Sequence, residues 1–332
     1  MTNEKRGELD LSLWKLRVSI FGTLAIIIGI STLFFAVLLG YLGFLNIFSL
    51  VMLVGFFNII QWLFAPYLIN RLYRVREVKQ EESPKLYRIV ERLSAKSGVK
   101  KPKLGISNIP IPNAFAYGSP IAGNHVAITQ GLLDTLEMEE VEAVLGHEFG
   151  HLKHRDVQIM MLVSFLPSLF YLLGRSAMFS AYFGRRRREG GGTYLIGAAS
   201  MFMYFVLLLF TMGLSRLREY YADRHSASII EDGSRRLSEG LAKIVSKTGR
   251  MRMNRQREAF TFNSFKALFI SDPDAAEGDS AQIARYAPEM SDQELVKRLL
   301  RRRITGASRL MELFSTHPNI TKRLKALRGY SQ

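Results

Sequence analysis

From Val18 to Asn70 the chain carries no charged residue. A helix needs ~20 apolar residues to cross a bilayer, so this run is roughly long enough for two crossings. Leu39-Gly40-Tyr41-Leu42-Gly43 is the natural break between them. A cleaved signal peptide is the competing reading. It requires a short apolar core of roughly 7–15 residues and a small-residue cleavage site. The run is too long for that and leads into a second apolar segment. Two more uncharged runs follow, Val157–Gly174 and Gly190–Ser215. The chain reads as a polytopic membrane protein.

Charge placement orients it. The formal net charge is +16, which could serve nucleic acid or a membrane. Lys5, Arg6, Lys15 and Arg17 precede the first run, and Arg71, Arg74, Arg76 and Lys79 follow it. Positive residues at membrane flanks are retained on the cytoplasmic side. Both ends of the first hairpin are therefore expected in the cytoplasm, joined by a very short outer turn. No recognised nucleic-acid motif is present, and no nucleic-acid partner is expected. The later pair is harder to orient. Arg185–Arg188 lie between its two runs, and would sit outside if both cross. Pro167 and the modest length of the third run also weigh against simple spanning, so this pair is read as transmembrane or membrane-embedded. The chain has no cysteine. That excludes disulfides, thiolate ligands and a cysteine nucleophile.

The expected organisation is a basic cytoplasmic lead (1–17), a transmembrane hairpin (18–70), a first soluble part (71–156), the second apolar pair (157–215) and a second soluble part (216–332). Ser83–Val99 predicts a helix, with Leu86, Ile89, Val90 and Leu93 at helical spacing after a Ser-Pro start. "KPKLGIS" and "HVAIT" predict short strands. The Pro- and Gly-punctuated "NIPIPNAFAYGSP" between them has a strand-like core at Ala114–Tyr117. Asp134 or Thr135 is the expected cap of the next helix, whose first turns carry Glu137, Glu139, Glu140 and Glu142. That helix is expected to continue toward the third run. Residues 225–332 read as mostly helical, with a loop near Ser271–Asp279.

The chemistry is concentrated in His147-Glu148-Phe149-Gly150-His151. Residues four apart lie on one helix face, so His147 and His151 can aim imidazole nitrogens at one ion. Zinc binds neutral imidazole at ~2.0–2.1 Å and, in catalytic sites, takes three protein ligands. Glu148 is less well placed as a ligand and can reach a water in the site, which makes it the candidate general base. Gly150 permits close backbone approach or is simply a tolerated small residue. "REYYAD" offers a third ligand in Glu219. Asp223, four residues on, could accept a hydrogen bond from the second nitrogen of a ligating imidazole. The bland alternative is a solvated ion-pair face with Arg216, Arg218 and Arg224, and spacing alone does not separate the two. Placement favours the site, since a returning apolar hairpin brings this helix and His151 to the same side of the membrane. His125, His154 and His225 read as ordinary histidines.

This ordered set of an apolar hairpin, "NAFAYG", "HEFGH", a second apolar pair, "REYYAD" and "STHPNITKRL" resembles the HtpX/Ste24 group of membrane zinc metalloproteases, peptidase family M48, and most closely its HtpX-like branch. The resemblance covers nearly the whole chain. It implies one zinc ion on His147, His151 and Glu219, with Glu148 as base. It also implies that Asn113-Ala114-Phe115-Ala116 is an edge strand that pairs with the substrate backbone. His317 of the His-Pro motif would donate to the developing oxyanion, and Arg323, six residues later, would orient the site.

The fold expected is a mostly helical membrane protein with a zincin-like (gluzincin) catalytic domain and a small sheet. The function expected is zinc-dependent endopeptidase action on misfolded or damaged membrane proteins, with the active site at the cytoplasmic face of the cell membrane. Other readings are a prenyl-protein processing protease, a catalytically silent membrane adaptor, and a transporter. The uncharged first hairpin argues against transport, which usually needs an intramembrane ionisable residue.

Overall fold

The structure, a computed structural model, describes residues 47–183, 190–253 and 290–330. The basic lead, the first half of the apolar hairpin with its break, Arg185–Arg188 and the loop near Ser271–Asp279 lie outside the described residues. The described elements are α1 (Ile47–Leu72), β1 (Val75–Glu77), α2 (Pro84–Ser97), β2 (Lys103–Ser107), β3 (Ala114–Ser119), β4 (Gly123–Thr129), α3 (Gln130–Leu133), α4 (Met138–Lys153), α5 (Asp156–Phe183), α6 (Gly190–Ile229), α7 (Gly233–Met253), α8 (Asp292–Leu300), α9 (Gly306–Leu313) and α10 (Ile320–Gly329).

Among the described residues, three helices are long and apolar enough to cross a membrane: Met52–Leu72 within α1, Asp156–Tyr182 within α5 and Gly192–Ile229 within α6. Pro167 does not stop α5, which is helical over 28 residues. The chain divides into two compact units, one containing the described residues up to Phe57 with Phe165–Val206, the other Asn58–Ser164 with Leu207–Gln332. The first is built from membrane-length helices. Its glycines let them touch: a Cβ on Gly174 would lie 2.9 Å from Met201, and one on Gly197 would lie 2.8 Å from Met178.

The second unit holds the chemistry. Its sheet has the order β1-β2-β4-β3. β1 and β3 pair antiparallel to their neighbours, while β2 and β4 run parallel. β3 is therefore an edge. β1, three residues in the basic flank of the first run, is too short to show alternation and is absent from the sequence reading. α2 forms as its spacing predicts. Leu86, Ile89, Val90 and Leu93 are buried, Pro84 opens it, and Gly98 closes it at φ 65°, where a side chain would be strained.

Two expectations for α4 are corrected. Asp134 and Thr135 do not cap it. They finish α3, where Asp134 accepts from the Gln130 amide and Thr135 donates to the Gly131 carbonyl. Glu137 is the cap, and its N–H donates to the Glu140 carboxylate at 2.8 Å. Nor does α4 continue into the third apolar run. It stops at Lys153, Arg155 takes a left-handed φ of 53°, and α5 restarts at Asp156. The break re-aims Asp156 toward the face of α4 that bears His151.

α4 is almost wholly buried from Glu140 to Gly150, and α6 crosses it closely. A Cβ on Gly150 would lie 2.8 Å from the Ala222 Cα, and one on Gly146 would lie 2.5 Å from Ile230 and 3.0 Å from Ser226. Ser226 adds a hydrogen bond to the Ala143 carbonyl at 2.6 Å. Gly150→Ala is therefore expected to destabilise the fold by roughly 1–3 kcal/mol through overpacking. Gly240→Ala, whose Cβ would make only ordinary contacts at 3.6 Å, should be neutral or mildly stabilising. Thermal unfolding of the two variants in the same detergent checks the contrast.

Candidate active site

Five elements meet at one buried point. α4 supplies His147, Glu148 and His151, and α6 supplies Glu219 and Asp223. Asp156 opens α5. His317 precedes α10, Arg323 lies on it, and β3 passes alongside. His147, Glu148, Glu219, Asp223, His317 and Arg323 are all buried. The alternative of a solvated ion-pair face at "REYYAD" is thereby excluded.

His147 Nε2 and His151 Nε2 lie 3.2 Å apart. Glu219 Oε2 is 3.5 Å from the first and Oε1 is 3.5 Å from the second. Ligands at ~2.0–2.1 Å around a tetrahedral ion are about 3.3 Å from one another, so this triangle has the size of a zinc site. Glu219 Oε2 is buried and accepts no hydrogen bond among the described residues. Its cationic neighbour is Arg323 Nη1 at 3.4 Å, too long for a good hydrogen bond, so the oxygen keeps acceptor capacity for a further cation. The charge balance agrees. With Glu148 ionised and both imidazoles neutral, as ligation requires, four carboxylates (Glu148, Asp156, Glu219, Asp223) face two guanidiniums (Arg218, Arg323), leaving a deficit of two that one divalent cation would cancel. The residues present fit a metal.

The outer nitrogens of both imidazoles lie against carboxylates. His147 Nδ1 lies 2.9 Å from Asp223 Oδ1, as the spacing of "REYYAD" suggests. His151 Nδ1 lies 2.5 Å from Asp156 Oδ2, whose other oxygen is 2.9 Å from Arg218 Nε. Asp156 is missed by the sequence reading. It sits five residues after His151, off helical register, and only the left-handed Arg155 brings it back. Arg323 donates from Nε at 2.9 Å and Nη2 at 2.6 Å to Asp223, and its Nη1 is 3.4 Å from Glu219 Oε2. A bidentate guanidinium fixes a carboxylate in orientation as well as place. With protons on Nδ1, each imidazole presents the Nε2 lone pair to the ligand triangle.

These neighbours set the protonation tendencies. Burial works against a charge on His151, but Asp156 and then Glu219 outweigh it and hold its pKa up at about 10. At His147, burial is outweighed by Asp223 and Glu219, and the pKa is again raised. The surroundings thus favour positive charge at the point where the nitrogens converge. Burial raises the Glu148 carboxyl, with the imidazoles pulling the other way. Burial opposes the Arg323 charge, yet Asp223 and Glu219 hold it firmly protonated.

Glu148 Oε2 accepts from the Ala116 N–H at 2.8 Å. Glu148 therefore touches the outer row of the edge strand. Of the other residues in the "NAFA" segment, Asn113 lies just before β3 and is tied to Thr129, Ala114 is buried, and Phe115 packs on Tyr73 in the core. His317 Nε2 reaches within 3.6 Å of Glu219 Oε1, and its Nδ1 is 3.0 Å from the Thr316 hydroxyl. His125 and His225 have other work. The first stacks on Tyr117 and the second pairs with Ser97 at 2.9 Å. His154 caps α4.

A His-Glu-x-x-His helix crossed by a carboxylate-bearing helix beside a small sheet, on a chain with membrane-length helices, defines a membrane metallopeptidase of the zincin type. The family profile described as peptidase family M48 matches residues 80–331. The chain belongs to that family. A "Protease HtpX homolog" from Aeropyrum pernix is 37% identical over 314 residues, covering 93% of this chain and 94% of the relative. One from Picrophilus torridus is 39% identical over 246 residues, covering 72% and 78%. One from Thermoplasma acidophilum is 35% identical over 274 residues, covering 81% of each. Among solved structures, that of S. mikatae Ste24p is similar with a TM-score of 0.56 at 15% identity, covering 96% of this chain and 67% of that one. At that identity it speaks for the fold alone.

Replacing either carboxylate behind the ligands, by Asp156→Asn or Asp223→Asn, is expected to weaken metal binding 10–100-fold. Competition with a chelating dye measures it. Equal affinity in Asp156→Asn and wild type would remove Asp156 from the site.

Proposed function

We propose that the chain is a zinc-dependent endopeptidase of the cell membrane, with one zinc on His147, His151 and Glu219, that hydrolyses peptide bonds in misfolded or damaged membrane proteins. The observation that carries this reading is the juxtaposition of the ligand triangle, the buried base Glu148 and the open edge of β3. Bound there, zinc would supply a Lewis acid that polarises a substrate carbonyl and lowers the pKa of water toward ~7.

The remaining steps belong to the chain's own groups. An extended substrate adds to β3 by backbone hydrogen bonds, alongside Asn113-Ala114-Phe115-Ala116. Glu148, oriented by the Ala116 N–H, takes a proton from the attacking water and passes it to the leaving amine. His317 donates from Nε2 to the oxygen that gains charge, and Arg323 holds Asp223 and the Glu219 side of the site in place. A strand-addition mode reads backbone rather than side chains, which suits unfolded substrates. The basic flank at the end of α1 and beyond it, with Arg71, Arg74, Arg76 and Lys79, supports a site on the cytoplasmic side of a multi-pass chain.

Glu148→Gln is expected to keep wild-type zinc content and to lose cleavage of an unfolded protein. Metal analysis and gel assays on the same detergent-purified samples check both halves. Loss of zinc in that variant would make Glu148 a ligand rather than the base. His317→Ala should retain zinc and lower the turnover rate by ~10²–10³; an unchanged rate would remove His317 from oxyanion stabilisation.

A further inference from the structure

α9 and the residue that caps it turn their apolar side outward. Leu310, Leu313 and Phe314 form one stripe by helical spacing, with Met311 beside it, and they are 63%, 49%, 43% and 46% exposed respectively. The one carboxylate of the same helix is turned in. The Glu312 side chain is only 10% exposed, and it accepts from Lys322 Nζ at 2.5 Å and from the Asn319 N–H at 3.1 Å. A helix that packs on a core turns such a stripe inward.

Two further observations say what covers it. The first is where α9 is pinned. Arg216 Nη1 donates to the carbonyls of Glu312 at 2.8 Å, Leu313 at 3.2 Å and Ser315 at 2.7 Å. Arg216 is the first charged residue after the uncharged run Gly190–Ser215, and that run is about one bilayer crossing long. The C-terminal end of α9 is therefore tied to the end of that uncharged run. The second is charge. Arg301, Arg303 and Arg309 are exposed on α9 and the segment leading into it. An apolar stripe bordered by cations is the pattern of a helix lying in the plane of an anionic membrane surface.

We propose that α9 is an in-plane membrane anchor, seated with Leu310, Met311, Leu313 and Phe314 in the headgroup boundary of an anionic phospholipid bilayer. Arg301, Arg303 and Arg309 face the lipid phosphates. The segment Ser315–Pro318 follows α9 directly, so the anchor fixes the approach of His317 to Glu219.

The chain has no cysteine, so single labels can be placed in the full protein. Leu310→Cys and, separately, Leu313→Cys would carry an environment-sensitive fluorophore. Each protein is reconstituted in nanodiscs of phosphatidylcholine with phosphatidylglycerol. Quenching by spin-labelled lipid is then compared with quenching by aqueous iodide. The expected result at both positions is blue-shifted emission, quenching by the lipid probe and protection from iodide. Arg301→Glu combined with Arg303→Glu should reduce lipid quenching in these discs, and the reduction should vanish in pure phosphatidylcholine. Iodide quenching of both labels with none from lipid overturns the proposal. So does shielding that arises only when an unfolded protein is added, which would make the stripe a polypeptide-binding surface.

Discussion

The nearness of α4 and α6 is the condition on which the rest of the site depends. A Cβ on Gly150 would lie 2.8 Å from the Ala222 backbone, and one on Gly146 would press on Ser226 and Ile230. The two helices therefore approach backbone to backbone, and Glu219 arrives within 3.5 Å of both imidazole nitrogens. A larger residue at position 150 would push the Glu219 carboxylate away from the two imidazoles. Gly150 thus belongs to the site although it bears no functional group.

Bringing charges this deep has a physical consequence. A buried carboxylate or guanidinium is tolerated when it is paired and hydrogen-bonded. Here the pairing forms two chains that end at the ligand point. One runs from Arg323 through Asp223 to His147, the other from Arg218 through Asp156 to His151. Each chain orients one imidazole, and together they leave a charge deficit suited to a divalent ion. Arg323 is almost wholly buried, yet its partners lie on another helix a hundred residues earlier. The C-terminal segment is thereby locked to α6, and His317 comes with it.

Much of this was legible in the sequence. The His147/His151 pair and the Glu219/Asp223 pair follow from a four-residue helical spacing, and the α2 core follows from its apolar periodicity. What the sequence hid was set by non-helical geometry. Asp156 lies out of register with His151, and only a left-handed arginine returns it. The three-residue β1 and the capping by Glu137 are decided by pairing and by a short preceding helix, neither of which leaves a periodic signal. His317 and Arg323 were assignable only by likeness to a family, because a His-Pro dipeptide has no spacing rule that links it to a helix a hundred residues away. The inverted polarity of α9 was equally invisible, since an outward apolar stripe and an inward one have the same spacing.

The most direct test of the central claim is X-ray absorption at the zinc edge on the purified full-length chain. A four-coordinate shell of nitrogen and oxygen near ~2.0–2.1 Å, containing two imidazoles, is the predicted result. A six-coordinate oxygen shell, or a single imidazole, would contradict the assignment of His147, His151 and Glu219 as the ligands.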